Sequence, residues 1–291
     1  MAENKLTWQS KLVLLAVLPF AGTEVVLDCN WWASQAAPVA IWTVALSALL
    51  GLVTWRLRAA TPAAALTGML ITASLMFSTL VVPYKPWHTA LVPTLAVSLL
   101  AFAATRAGRG QKERLGTAEE RKGRSASQVA ANLGMAALVV STPVQSWLAN
   151  SHWMPHHAAT PTMLFALAVA ALAEAAADTA SSEIGQVLGG RPRMITSFKA
   201  VDPGRDGAIS LAGSLAGLVA AAMVAYAGMW ALGGGWTMFR VSCAGAVFGL
   251  FFDSLLGATL EERGLLNNDA VNFLSTASAA GFALAMLCAM H

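Results

Sequence analysis

Charge is scarce in this sequence. Of 291 residues, 18 are Lys or Arg and 15 are Asp or Glu, together 11%, where a soluble domain carries about 25%. That scarcity excludes an ordinary water-soluble domain. Cysteine is scarcer still: Cys29, Cys243 and Cys288 stand far apart, which excludes a disulfide framework and offers no zinc-ligand spacing. The chain also lacks a GxxxxGK[ST] P-loop and a GxGxxG following a strand, so the soluble nucleotide-binding folds are excluded. What is abundant is hydrocarbon. Hydrophobic residues make up 57% of the chain, and apolar runs recur from one end to the other, the pattern of a polytopic all-α membrane bundle.

Runs long enough to cross about 30 Å of hydrocarbon fall near 11–27, 38–55, 63–82, 87–105, 127–147, 161–181, 208–231, 237–259 and 270–290. They predict about nine transmembrane helices in a single domain over 1–291. The first run is the weakest, because Pro19 and Glu24 interrupt it. A signal peptide is the competing reading of that Lys-flanked start, but no small-x-small cleavage site follows, so it is read as a helix. Nine crossings put the ends on opposite sides. The basic residues agree: Lys5, Lys11, Arg56, Arg58, seven between Arg106 and Arg124, Arg191, Arg193, Lys199, Arg205 and Arg263 share the N-terminal side. Only Lys85 and Arg240 lie opposite, so the positive-inside rule places the N-terminus in the cytoplasm. Trp31, Trp32, Trp55, Trp87, Trp147, Trp153, Trp230 and Trp236 fall near predicted helix ends, as an aromatic belt does.

The predicted inner loops 106–126, 182–207 and 260–269 hold most of the charge, so chemistry is expected on that face. Glu174, Asp178 and Ser182 recur every fourth residue and share one helix face, with Glu183 beside them. Gly245, Gly249, Asp253 and Gly257 form a second four-residue series, in which small residues let a neighbouring helix come close to the carboxylate. Asp178, Glu183 and Asp253 then sit near helix C-termini, where the macrodipole is already negative. An anion there calls for a cation, and hard oxygen ligands suit Mg²⁺. The bland alternative is that these acids are protonated or hydrogen-bonded within the bundle.

The odd-numbered helices begin at the same face and present free N–H groups there. Lys122-Gly123-Arg124 with Gln128 and Asn132 opens one. The stretch from Lys199 to Asp206 and Gly207 precedes another, with Ser210 in its first turn. Asn267, Asn268 and Asp269 precede the last, with Asn272 just inside. Helix starts that favour anions, interleaved with helix ends that favour cations, suit a polyphosphate with its Mg²⁺. Asn267 and Asp269 are read equally well as N-caps, and the 106–124 cluster as a topogenic or headgroup patch. His152, His156 and His157 read as a solvated outer loop, and Gly213 and Gly217 as a packing face that serves intramolecular contact or self-association equally.

The run Ala177-Asp178-Thr179-Ala180-Ser181-Ser182-Glu183-Ile184-Gly185 resembles the ADT-x-ASE-x-G signature of the integral-membrane family that includes chloroplast phytyl-phosphate kinase and transmembrane protein 19. Four further blocks follow in order: Lys122 to Asn132; Asp206-Gly207 with Ser210 and Gly213; Asp253-Ser254-Leu255-Leu256-Gly257-Ala258; and Asn267-Asn268 through Asn272. The resemblance covers about residues 60 to 280, leaving 1–60 less family-like and 61–291 as the core. It implies a kinase that converts an isoprenoid monophosphate to the diphosphate, with CTP as the implied donor. The positions it carries over are Asp178, Ser182, Glu183, Asp206 and Asp253.

The residues fit that reaction, because phosphoryl transfer is mostly positioning and charge neutralisation. Asp178, Glu183 and Asp253 are assigned to the metal, and Asp206 to the metal or to holding its loop. Arg124, Lys199 and Arg191 are assigned as phosphate clamps, with Gln128, Asn132, Ser182, Ser254, Asn268 and Asn272 as hydrogen-bonding groups. The expected partners are a prenyl-phosphate lipid and membrane lipids, with no nucleic acid, and the expected place is a cytoplasmic membrane with the active face cytosolic. Two other readings stand: a transporter or flippase that uses Glu174, Asp178 and Asp253 as a relay, and a CDP-alcohol or nucleotidyl transferase, whose DGxxAR start is missing.

Overall fold

A computed structural model describes residues 6–116, 123–152 and 160–290. Lys5, Lys122, Trp153, His156 and His157 lie outside the described residues. The helices are α1 Thr7–Gln35, α2 Ala37–Arg56, α3 Pro62–Ser78, α4 Leu91–Arg106, α5 Arg109–Leu115, α6 Ala126–Val139, α7 Thr142–Ala149, α8 Pro161–Leu188, α9 Leu211–Leu232, α10 Gly235–Leu256 and α11 Asn268–Ala289. Two short strands, β1 Arg193–Met194 and β2 Ala208–Ile209, pair antiparallel between α8 and α9.

Each of the nine predicted runs is helical, but they are not nine equal spans. Six described helices are long and apolar enough to cross a membrane, and α6 with α7, bent by 44° between them, passes the same test only as a pair. The other two, α3 and α4, have 17 and 16 residues. The reason is local: Pro83 and Pro86 lie between them, lack an N–H and cannot continue a helix. The run predicted to continue to residue 82 therefore stops at Ser78, and Pro86–His88 forms only a 3₁₀ turn before α4.

The first helix is also different from the expectation. It is continuous for 29 residues through Pro19, and a single residue, Ala36, joins it to α2. Glu24 does not interrupt it, because tertiary partners satisfy the carboxylate. Ser78 Oγ donates to Glu24 Oε2 at 2.9 Å, and the Thr142 backbone N–H donates to Glu24 Oε1 at 2.6 Å. Glu24 thus supplies an anion at the first turn of α7, where free N–H groups and the helix dipole favour one.

Hydrogen bonds show which termini share an end. Gln9 and Ser10 of α1 reach Leu265 and Asp269 beside α11. Arg106 at the end of α4 donates to the Leu57 carbonyl after α2. Residues 59–61 and 124 exchange backbone bonds, tying the α2–α3 turn to the start of α6. Arg124 donates to Thr179 in α8. These contacts define one end of the bundle, the basic end. At the other end Glu24 meets Ser78 and Thr142, and Thr43 meets Tyr84.

The centre is α8, whose segment from Leu164 to Ala177 is buried at every position. Its small side chains let α4, α6, α9, α10 and α11 pack around it. Glycines allow the closest approaches. A Cβ on Gly245 would stand 2.5 Å from the Ala279 carbonyl of α11 and 3.1 Å from Ala170 Cβ of α8.

Gly245→Ala is therefore expected to destabilise the bundle by about 1–3 kcal/mol through overpacking, read as a lower midpoint of thermal unfolding in detergent. Glu24→Ala strands the Ser78 hydroxyl and the Thr142 N–H and is expected to cost about 1–3 kcal/mol; an unchanged midpoint would contradict the capping role.

Candidate carboxylate site at the basic end

Two helices bring the acids together. Glu174 and Asp178 lie one turn apart on α8, and Asp253 faces them from the last turns of α10. The four-residue glycine series explains the approach: a Cβ on Gly249 would stand 2.6 Å from Glu174 Cγ, so only glycine lets α10 pass over that side chain. Ser275 of α11 closes the third side, next to both Glu174 and Asp253. The two series seen in the sequence therefore meet across one helix interface.

After α10 the backbone widens into a π-turn over Gly257–Glu261, a deviation that often accompanies functional sites. Gly207, at φ +73°, packs against the backbone of Gly257 and Ala258, and no side chain fits there. That contact brings Asp206 into electrostatic range of Asp253, Glu261 and Glu262. Asp206 lies in a connecting segment, where burial, then Glu262, pushes its carboxyl above the usual range. Arg205 is held away by Glu262, at 2.5 Å.

Glu174, buried, and Asp178, Asp253, Glu261 and Asp206, increasingly open to solvent, thus repel one another across this interface. Arg124 is the cation that faces them, interacting with Asp178 and donating to Thr179 Oγ1 at 3.2 Å. Glu174 Oε1 and Asp253 Oδ2 are buried without any hydrogen-bond partner. Orphaned oxygens of this kind are costly. Among the described residues no three His, Cys, Asp or Glu side chains gather closely enough to hold a metal by themselves. A Mg²⁺ does not require that, since it takes one or two carboxylates and completes its shell with water and substrate phosphate oxygens. The hard carboxylate oxygens of Asp178 and Asp253 fit such an ion.

Other predicted residues have different employment. Glu183 accepts from Lys112 Nζ at 2.5 Å, and the same ammonium donates to the carbonyls of Ala104 and Thr105, fastening α5 to α4 and α8. Gln128 forms a capping box with Ser125 at the start of α6. Asn132 donates to the Gln128 carbonyl, and Ser254 to the Leu250 carbonyl of its own helix. Ser182 lies 3.5 Å from Asp178 Oδ1. Asn272 is buried next to this helix interface, while Asn268 is exposed one turn earlier. Asn267 is the N-cap of α11, and Asp269 accepts from Ser10 at 2.6 Å, so the capping reading describes both. Arg191 and Lys199 are exposed, and among the described residues their side chains reach none of the carboxylates. Ser210 caps α9 against Gly213.

Glu261 was missed by the sequence reading, although one more step along Gly245, Gly249, Asp253 and Gly257 lands on it. A relay is poorly served on α8, because residues Leu164 to Ala173, outward of Glu174, are buried and apolar throughout.

The chain is 40% identical to an uncharacterized membrane protein of Methanocaldococcus jannaschii over 37% of its own length and 45% of that protein. It is 29% identical to one of Synechocystis, over 68% and 73%. It is also 32% identical to the protein VTE6, chloroplastic, of Arabidopsis thaliana, over 62% of this chain and 53% of that one. The chain thus spans about half the length of two of these relatives. No solved structure matches it. The model of the integral membrane protein family DUF92 matches residues 45–280, and by that match over most of its length the chain belongs to this family.

Proposed function

We propose that the protein is a membrane-embedded kinase that phosphorylates an isoprenoid monophosphate, using a nucleoside triphosphate, with CTP as the donor implied by the family resemblance, and Mg²⁺. The observation that carries the reading is the meeting of Asp178 and Asp253, with Glu174, at the basic end, where buried carboxylate oxygens stand without partners beside one arginine. The resemblance of the 177–185 run to the family that includes chloroplast phytyl-phosphate kinase supports a kinase-like role.

The chemistry is simple in its balance. A phosphate oxygen of the acceptor attacks the γ-phosphorus, the bond from that phosphorus to the bridging β-oxygen breaks, and the nucleoside diphosphate leaves with the electron pair. The acceptor oxygen is already ionised near neutral pH, so the residues need not supply a strong base. Asp178 and Asp253 would hold Mg²⁺, which when bound neutralises charge on the transferring phosphates. Arg124 would orient the phosphates, and Asp206 would serve the metal or hold its own loop. Glu183 would act indirectly, by keeping α5 in place.

The purified chain, given Mg²⁺, labelled nucleoside triphosphates and a panel of prenyl monophosphates, is expected to yield the labelled diphosphate. Asp178→Asn and Asp253→Asn are each expected to lower the rate on the order of 10²–10³-fold, the scale for losing one preorganised electrostatic contact. Transfer at undiminished rate in both variants would remove their role. Proteoliposome uptake of a solute, abolished by Asp178→Asn, would favour transport instead.

A second readout needs no turnover. Mg²⁺ at a hundred times its dissociation constant is expected to stabilise the wild-type fold by about 2.7 kcal/mol and to leave Asp253→Asn unchanged. Without the ion the variant should unfold at a higher temperature than wild type, because neutralising one acid relieves the repulsion.

A further inference from the structure

Beside the carboxylates lies a cavity of about 560 Å³ enclosed by α2, α3, α4 and α6. Its mouth is at the basic end and carries four arginines: Arg58, Arg106, Arg109 and Arg124. Arg109 pairs with Glu113 at 3.1 Å, and Arg106 stacks on Phe102 while donating to Leu57. Arg58 forms no ion pair with any described acid. Away from the mouth the lining follows Ala64, Gly68 and Thr72 down α3, and Ala101, Val97 and Thr94 up α4. From Arg106 to Thr94 this is a depth of roughly 18 Å at the helical rise.

The walls are less polar than their composition. The hydroxyls of Thr54, Ser98 and Thr94 each donate to a carbonyl of their own helix, turning their methyl and methylene faces to the space. Thr72, 1% exposed, has a hydroxyl with no partner at the deep end. The boundary is weakest between α2 and α4. The former packs on α1 and α3 and the latter chiefly on α8 and α9, so the two scarcely meet. A cationic rim, a deep body of small aliphatic side chains and mostly self-bonded hydroxyls, and a seam between two helices describe a receptacle for an amphiphile whose single chain can enter sideways from the bilayer.

We infer that this chamber binds one single-chain lipid monophosphate, with its phosphate at the arginine rim and its chain along α3 and α4. The inference rests on the kinase reading for the fate of the ligand, since Arg124 lines the rim and also touches Thr179 and Asp178. That shared residue places the headgroup next to the carboxylates. A phospholipid would bring a second chain to a shaft that follows one pair of helices, and free phosphate brings no chain to fill it.

The test uses the full chain in nanodiscs and a geranylgeranyl monophosphate carrying a photoreactive diazirine at its tail. Crosslinks are expected on α3 and α4 near Thr72 and Val97, and they should fall at least tenfold when unlabelled geranylgeranyl monophosphate competes. Equal competition by phosphatidate would overturn the single-chain assignment, and equal competition by inorganic phosphate would reduce the site to an anion-binding rim. Gly68→Phe fills the shaft and should abolish the crosslinks. A Cβ at Gly68 has its nearest neighbour, Val129 Cγ1, 3.7 Å away, so the new ring has space to occupy. Should that variant fail to fold, Arg58→Gln, at the exposed rim, should weaken apparent affinity about tenfold without changing the unfolding midpoint. Crosslinks confined to α10 and α11, or unaltered in both variants, would overturn the chamber. Asp253→Asn separates the two readings: crosslinking retained with transfer lost supports both, and crosslinking in a wild-type protein that transfers nothing leaves the chamber standing while the kinase falls.

Discussion

The structure depends on one helix that can be surrounded. From Leu164 to Ala177, α8 is buried at each position, and alanine supplies most of that stretch. Within a bilayer, association gains little from the hydrophobic effect, since lipid tails are as apolar as leucine, and close van der Waals contact must replace it. Alanines and the facing glycines at 213, 217, 228, 245 and 249 let the neighbouring backbones come near enough. Large side chains along α8 would hold α9 and α10 apart, and the acids of α8 and α10 would then never meet.

That packing puts the acids in conflict with their surroundings. Once α10 crosses α8 over Gly249, Glu174 Oε1 and Asp253 Oδ2 are buried without a hydrogen-bond partner. Elsewhere the protein satisfies its buried charges: Glu24 through Ser78 and a helix start, and Lys112 through Glu183 and two carbonyls. The contrast matters more than either case alone. The same bundle gives Glu24 and Lys112 partners from other helices and leaves one oxygen each of Glu174 and Asp253 without any, beside an arginine-rimmed chamber.

The contacts that the sequence does not reveal share a cause. Glu24 looked like a break in α1 because its partners lie 54 and 118 positions away. The pairing of Glu183, assigned to the metal, with Lys112 is hidden because Lys112, 71 positions earlier, belongs to a short helix with no apolar signature. Gln128, assigned as a hydrogen-bonding group for phosphate, stands in the Ser125-x-x-Gln128 pattern, which is itself a capping box. Hydrogen bonding within one turn is readable from spacing; pairing across the fold is not. Glu261 falls between, since the glycine series points to it but only the π-turn and Gly207 give it neighbours.

By itself the sequence determined that this is a helical membrane bundle, where its apolar runs lie, which end collects the basic residues, and that two four-residue series carry carboxylates on helix faces. These are consequences of composition and of the 3.6-residue period, both local properties. Only the tertiary structure decided that the two series face each other, that Glu183 and Gln128 have structural partners, that Asp206 joins the cluster, and that four helices leave a chamber at Arg124. Those outcomes depend on which helices touch and how closely, and contact distance is set by side-chain volume at interfaces between residues far apart in the chain.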